Sequence, residues 1–209
     1  MKRRALQDLP GLLVSARFWD EMIWAATIAG LAAGLVHVLS GPDHLAAVAP
    51  FAIGKGSRSW RTGLNWALGH SGGVLVIGLL ALFFREMLPI DAISSSAERF
   101  VGVLLLGVGT WGICKSFMSH TREPGGAPLA IGAVHGLAGG SHLLGVIPGL
   151  LFPSPIAVCV YFLAFAAGTM AGMCSFSAGL GLLPQSSYRA AMAICSGLAM
   201  AIGAYWLIA

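Results

Sequence analysis

Apolar residues along this chain come in long, almost unbroken blocks, and charged residues fall mainly in the gaps between them. Neither the strict alternation of a half-buried strand nor the one-sided stripe of a soluble amphipathic helix dominates. Six blocks, at about 22–40, 63–84, 100–118, 128–150, 155–183 and 190–208, can each cover the roughly 20 residues that a bilayer core requires. The pattern predicts an all-α membrane protein of about six transmembrane helices. Residues 1–21, MKRRALQDLPGLLVSARFWDE, are basic with an interrupted apolar run, and predict an interfacial segment on the membrane surface. No small-residue cleavage site follows an apolar core there, so a cleaved leader is not expected.

Inside these blocks the sequence repeats itself. LAAGLVHVLSGPDHLAAVAP, Leu31 to Pro50, returns as LAIGAVHGLAGGSHLLGVIP, Leu129 to Pro148, with 11 of 20 positions identical and no gap. Composition alone would give about two or three matches. His37 pairs with His135, His44 with His142, Gly41 with Gly139 and Pro50 with Pro148. The motif falls in the first and fourth blocks, so each repeat unit holds three helices, residues 22–118 and 128–209, within one membrane domain. An odd number of spans per unit makes the second copy enter from the opposite side, which predicts two inverted three-helix repeats. Ala67, Gly69 and Gly73 likewise correspond to Ala166, Gly168 and Gly172, and Gly-xxx-Gly spacings predict close helix packing in lipid.

Composition agrees with the block pattern. Hydrophobic residues make up 57% and charged residues 10% of the 209, against about 25% charged in soluble domains. The mean hydropathy is +0.83. The net charge of +4 comes from basic residues scattered between apolar runs, which excludes a nucleic-acid surface. Cys114, Cys159, Cys174 and Cys195 form no CxxC pair and read as small buried hydrophobes.

The chemistry lies in the histidines. His37, His44, His70, His135 and His142 all fall at expected membrane depth, where ionisable groups are rare and usually line a pathway. On a continuous helix His37 and His44 would share a face but stand about 10.5 Å apart along the axis, too far to share one ion. Ser40-Gly41-Pro42-Asp43 between them is a helix-start signal, and Gly139-Gly140-Ser141 interrupts the second pair. Both motif helices are therefore expected to be broken at Gly41, Pro42, Gly139 and Gly140, which membranes tolerate only where the freed backbone is buried or lines a cavity. Asp43 is the acid of the motif, with Ser141 at its counterpart. The next helix adds Asn65 and Leu68-Gly69-His70-Ser71. Such a nitrogen and oxygen set suits Ni²⁺, Co²⁺, Zn²⁺, Fe²⁺ or Mn²⁺ better than Cu⁺.

A helix carrying His-x-x-x-x-x-Asp-His, a basic loop, and Leu-Gly-His-Ser on the next helix resemble the nickel/cobalt permeases. The resemblance is to their shorter hydrogenase- and urease-associated branch in particular, and it covers mainly residues 31–80. It implies a multi-span divalent-cation permease with His37, Asp43, His44 and His70 as metal ligands. His135 and His142 are expected to gate or to complete coordination, with Ser71, Asn65 and Ser141 in supporting positions. The pattern departs from the permeases in placing five residues rather than four between His37 and Asp43, and in lacking a second acid there. The implied cargo is a divalent metal ion such as Ni or Co, with no resident cofactor. Imidazole binds metal when neutral, so affinity is expected to fall as pH drops through about 6.5.

Two other classes compete. Gly69-His70-Ser71-Gly72-Gly73 satisfies G-x-S-x-G and, with six spans, resembles rhomboid intramembrane serine proteases using Ser71. The hydrolase form of that motif needs a strand-to-helix turn, and it leaves the duplicated histidines unexplained, so no enzyme is expected. A membrane electron carrier would need one cysteine per repeat at matching sites, which the four cysteines do not provide. A metal-handling accessory that does not transport remains a further reading. The expected partners are the lipid bilayer and the metal ion, with a homo-oligomer left open and no nucleic acid. The expected location is a bacterial-type plasma (inner) membrane. Lysines and arginines divide evenly between the two sides; comparing the motif loops places basic Phe51–Thr62 in the cytoplasm.

Overall fold

A computed structural model describes the backbone of residues 9–84, 90–118, 126–138 and 148–208, with side chains described from Arg17 onward except at 77–95 and 97. The described secondary structure is helical. Helix α1 spans Leu9–Ser40, α2 Pro42–Ala52, α3 Trp60–Phe84, α4 Ile90–Phe117, α5 Ala127–Leu137, α6 Pro155–Gly181 and α7 Tyr188–Ile208. Among the described residues four helices are long and apolar enough to cross a membrane: Arg17–Ser40, Glu98–Phe117, Pro155–Gly181 and Gln185–Ile208. The boundary expected near residue 22 is not a helix boundary. Helix α1 runs through it from Leu9, because nothing between Arg17 and Glu21 breaks a helix once neighbouring turns are formed.

The break between α1 and α2 has a local cause. Proline disfavours helical geometry in the residue before it, and Gly41 sits extended at φ −87°, ψ 99°. Pro42 then opens α2, where its missing N–H is no loss. The Gly41 carbonyl accepts from the amides of His44 and Leu45, at 3.1 and 3.3 Å. Ser40 Oγ donates to the His37 carbonyl at 3.3 Å and helps close α1. Nine of the eleven residues of α2 are buried, so this half-helix lies inside the bundle while α1 shows Trp24 and Ile28 to the outside. The break itself is only partly covered, with Gly41 half-buried and Ser40 and Pro42 exposed, and burial begins at Asp43.

Helices α1 and α6 pack together, as do α3 and α5, and α4 and α7; α3 also meets α6, and α2 rests on α7. Glycines set the approach. A Cβ at Gly34 would collide with the Phe165 carbonyl, and one at Gly132 with the Trp66 carbonyl. Likewise Gly168 abuts the Leu31 carbonyl and Gly69 the Leu129 carbonyl. These contacts correspond under the offsets of the sequence repeat: Gly34 with Gly132, Leu31 with Leu129, Gly69 with Gly168 and Trp66 with Phe165. In lipid no hydrophobic force drives helices together, and such backbone approach supplies the dispersion contact instead. The interior is correspondingly polar as well as apolar, holding Trp66, Tyr161 and Met173 together with His44, His70 and His135. The cysteines are all free thiols; Cys114 and Cys159 are exposed and Cys174 and Cys195 half-buried. They are thus not core residues, because each lies on a helix flank that the bundle leaves uncovered.

Candidate metal centre

The break does what spacing on a straight helix cannot. With α2 redirected at Gly41, the rings of His37 and His44 come to 4.8 Å between centroids. Helix α3 passes beside them and brings His70 to 5.7 Å from His37 and 5.1 Å from His44. One ligand nitrogen from each of the three lies within 4.8 Å of the others. Tetrahedral nitrogens about 2.05 Å from one ion would be about 3.3 Å apart, so the three imidazoles are in reach of a common ion after modest ring rotation. His44 and His70 are buried and His37 is half-buried.

Asp43 stands between the two halves of the repeat. One carboxylate oxygen is 3.3 Å from His44 Nδ1 and the other 3.6 Å from His135 Nε2. Helix α5 supplies His135 in its last turn, 98% hidden from the surface, with its ring centroid 5.7 Å from that of His44. Asp43 lies in the first turn of α2, where the helix dipole favours negative charge. A carboxylate beside one ring nitrogen of a histidine orients the other toward a metal, so Asp43 can steer His44 as well as lend charge.

Trp66 is the wall of the site, and the sequence reading did not nominate it. It stacks on His70 at 4.8 Å and 12°, meets His44 edge-on at 5.3 Å, and is tilted against His135 at 5.6 Å. Its indole N–H has no hydrogen-bond acceptor among the described residues. The available signal was its position one helical turn before His70, since residues four apart share a helix face. Phe165 lies 5.4 Å from His37, in the place that Trp66 takes toward His135. At the repeat position of His70 the second half carries Thr169, whose hydroxyl donates to the Gly34 carbonyl at 3.4 Å. The three-histidine cluster therefore forms in one copy.

The supporting positions divide. Ser71 is half-buried within continuous α3, next to His70. Asn65 is exposed and is not brought to the cluster. Five residues from His70 puts it about 140° around the helix, which corrects its expected place. His142, Ser141, Gly139 and Gly140 lie outside the described residues, and α5 ends at Leu137 just before them.

An all-helical chain with lipid-length apolar spans and a buried histidine cluster defines an integral membrane protein. No family model matches it, and no solved structure matches it. Over 188 residues it is 34% identical to the Arabidopsis thaliana Chloroplast protein FOR GROWTH AND FERTILITY 1, covering 78% of this chain and 50% of that one. The chain thus spans about half the length of that relative. It is 28% identical over 178 residues to a urease accessory protein of a Bacillus species, covering 73% and 75%. It is 24% identical over 153 residues to a candidate nickel/cobalt efflux system of Methanocaldococcus jannaschii, covering 72% and 65%. The chain is a distant relative of nickel/cobalt permease-like membrane proteins.

Proposed function

We propose that the chain is a membrane permease for a divalent transition-metal cation of the nickel or cobalt type, and not an enzyme. The observation that carries this reading is the convergence of His37, His44 and His70 within 4.8 Å of one another across the helix break at Gly41. Neutral imidazoles with the single carboxylate of Asp43 leave a bound dication with residual positive charge in a low-dielectric interior. Such a site holds an ion firmly enough to strip its water and loosely enough to release it, as passage requires. The nitrogen and oxygen donors favour the middle and late first-row divalent ions.

In this reading the architecture is six spans in two inverted three-helix repeats, residues 22–118 and 128–209, with residues 1–21 flanking them. The matched glycine contacts of α1 with α6 and of α3 with α5 support it. The break expected at Gly139 and Gly140, and His142 as a gate together with His135, belong to the same reading. The Phe51–Thr62 loop faces the cytoplasm. The membrane is a bacterial-type plasma membrane or its plastid counterpart, the latter supported by the chloroplast name of one relative.

A second reading, a metal-handling accessory that binds the ion without moving it, draws support from the urease accessory relative. Flux separates the two. Purified chain in proteoliposomes with an entrapped nickel- and cobalt-sensitive dye should admit the ion faster than empty vesicles. His37→Ala, Asp43→Asn, His44→Ala and His70→Ala should slow entry by 10-fold or more at equal incorporation. Binding without flux would favour the accessory reading, and wild-type flux in all four variants would overturn the metal site.

A further inference from the structure

At the membrane end where α4 finishes and α7 starts there is a cavity of about 400 Å³, lined in part by Lys115, Ser116, Gln185, Tyr188 and Arg189. Two of these side chains are cationic and none is acidic. The Lys115 ammonium rests over the Trp111 ring at 4.7 Å, and Trp111 in turn stacks on Phe51 at 4.7 Å. That arrangement fixes the position of the ammonium group. Arg189 is exposed, and no carboxylate among the described residues pairs with it. Helix α7 begins at Tyr188 beside the cavity, so its positive dipole end adds to the field.

The charge is not local to the cavity. Among the described residues this end of the bundle carries Lys55, Arg58, Arg61, Lys115 and Arg189. The described acids Asp20, Glu21 and Glu98 lie toward the opposite end. The described charge at this end is therefore positive. Beside the cavity Phe117 and Met118 are 79% and 60% exposed, at and just past the end of a helix long and apolar enough to cross a membrane.

We propose that this cavity binds the phosphate headgroup of an anionic phospholipid, with Lys115 and Arg189 on the phosphate and Phe117 and Met118 against the acyl chains. Basic pockets between helix ends at a membrane surface suit such headgroups, and a soluble anion would find no use for the apolar rim. The site also touches the metal motif mechanically. Gly54, at φ +84°, follows α2 and lies against the Tyr188 ring, where a Cβ would press on that ring. The proposal does not depend on what the histidine cluster carries.

The test uses the full chain purified in detergent and native mass spectrometry. Dioleoyl phosphatidylglycerol is titrated against dioleoyl phosphatidylcholine, with inorganic phosphate as a separate arm. Phosphatidylglycerol should bind and phosphatidylcholine should not compete with it. Arg189→Gln should weaken phosphatidylglycerol about 5-fold, and Lys115→Gln with Arg189→Gln about 30-fold. Lys115→Arg with Arg189→Lys should retain it. Because Arg189 is exposed, the single variant keeps the test intact if the double variant unfolds. Equal binding of the two lipids, or unchanged binding in Arg189→Gln, would overturn the proposal. Displacement by phosphate at equal headgroup concentration would assign the cavity to a free anion and overturn the lipid.

Discussion

Gly41→Ala separates the backbone from the site. Gly41 has φ −87°, which alanine adopts freely, so no conformational strain follows from the substitution. A Cβ there would instead lie far inside van der Waals contact with Nδ1 and Cε1 of the His44 ring. The ring is the movable partner, since it ends a side chain while the carbonyl of Gly41 anchors the first turn of α2. His44 must therefore swing away from His37, His70 and Asp43, which removes one nitrogen from the cluster and breaks the 3.3 Å approach to the carboxylate. Loss of one ligand's orientation typically lowers metal affinity 10- to 100-fold. Alanine is also a poorer N-cap than glycine, worth up to about 1 kcal/mol. Gly41→Ser restores a good cap while keeping the same Cβ, so it isolates the steric effect. The assay is ion entry into dye-loaded proteoliposomes, with thermal unfolding in detergent as the control. Both variants should lose entry 10-fold or more, with Gly41→Ser as stable as the wild type. If both transported at the wild-type rate while His44→Ala did not, the placement of the ring against Gly41 would be irrelevant and the reasoning wrong.

Trp66→Ala should lower metal affinity by removing the face that holds His70, a contact worth about 0.5–1.5 kcal/mol. Trp66→Phe should keep it, and calorimetric metal titration would show whether the two behave alike. Gly132→Ala and Gly34→Ala should each lower unfolding stability by about 1–3 kcal/mol through forced helix separation. Gly72→Ala, which meets open space on α3, should leave stability unchanged or raise it by up to about 1 kcal/mol; equal losses at all three sites in detergent melts would contradict the packing. Reporter fusions at Gly56 and Ser154 should place the first inside the cell and the second outside.

The sequence carries the interruption at Gly41 and Pro42 openly, because proline and glycine act on the backbone wherever they stand. It also carries the apolar, helical character of the chain, since bilayer thickness sets a length that composition reveals, and four of the described helices reach that length. The meeting of His37, His44 and His70 is another matter. It depends on the angle through which α2 departs from α1 and on α3 lying alongside, neither of which has a local signature. Trp66 was hidden among ordinary apolar residues of its helix, and only its partner His70 gives it meaning. Asn65 shows the converse error, a suitable atom at a nearby number on the wrong side of a helix. Asp43 was legible as a charge, while its place between His44 and His135 required knowing that α5 approaches from the other repeat.

The glycine contacts carry a mechanical consequence. Backbone touches backbone between α1 and α6 and between α3 and α5, so each pair forms a strut that resists sliding, and Gly63 against the Met173 carbonyl joins the two struts in the same way. Each strut takes one helix from either half of the duplicated sequence. The two copied halves are thus interlocked, since each strut draws on both of them. His37 rides on one strut and His70 with His135 on the other, while α2 carries Asp43 and His44 at the seam. The cage therefore spans the joint between the two struts.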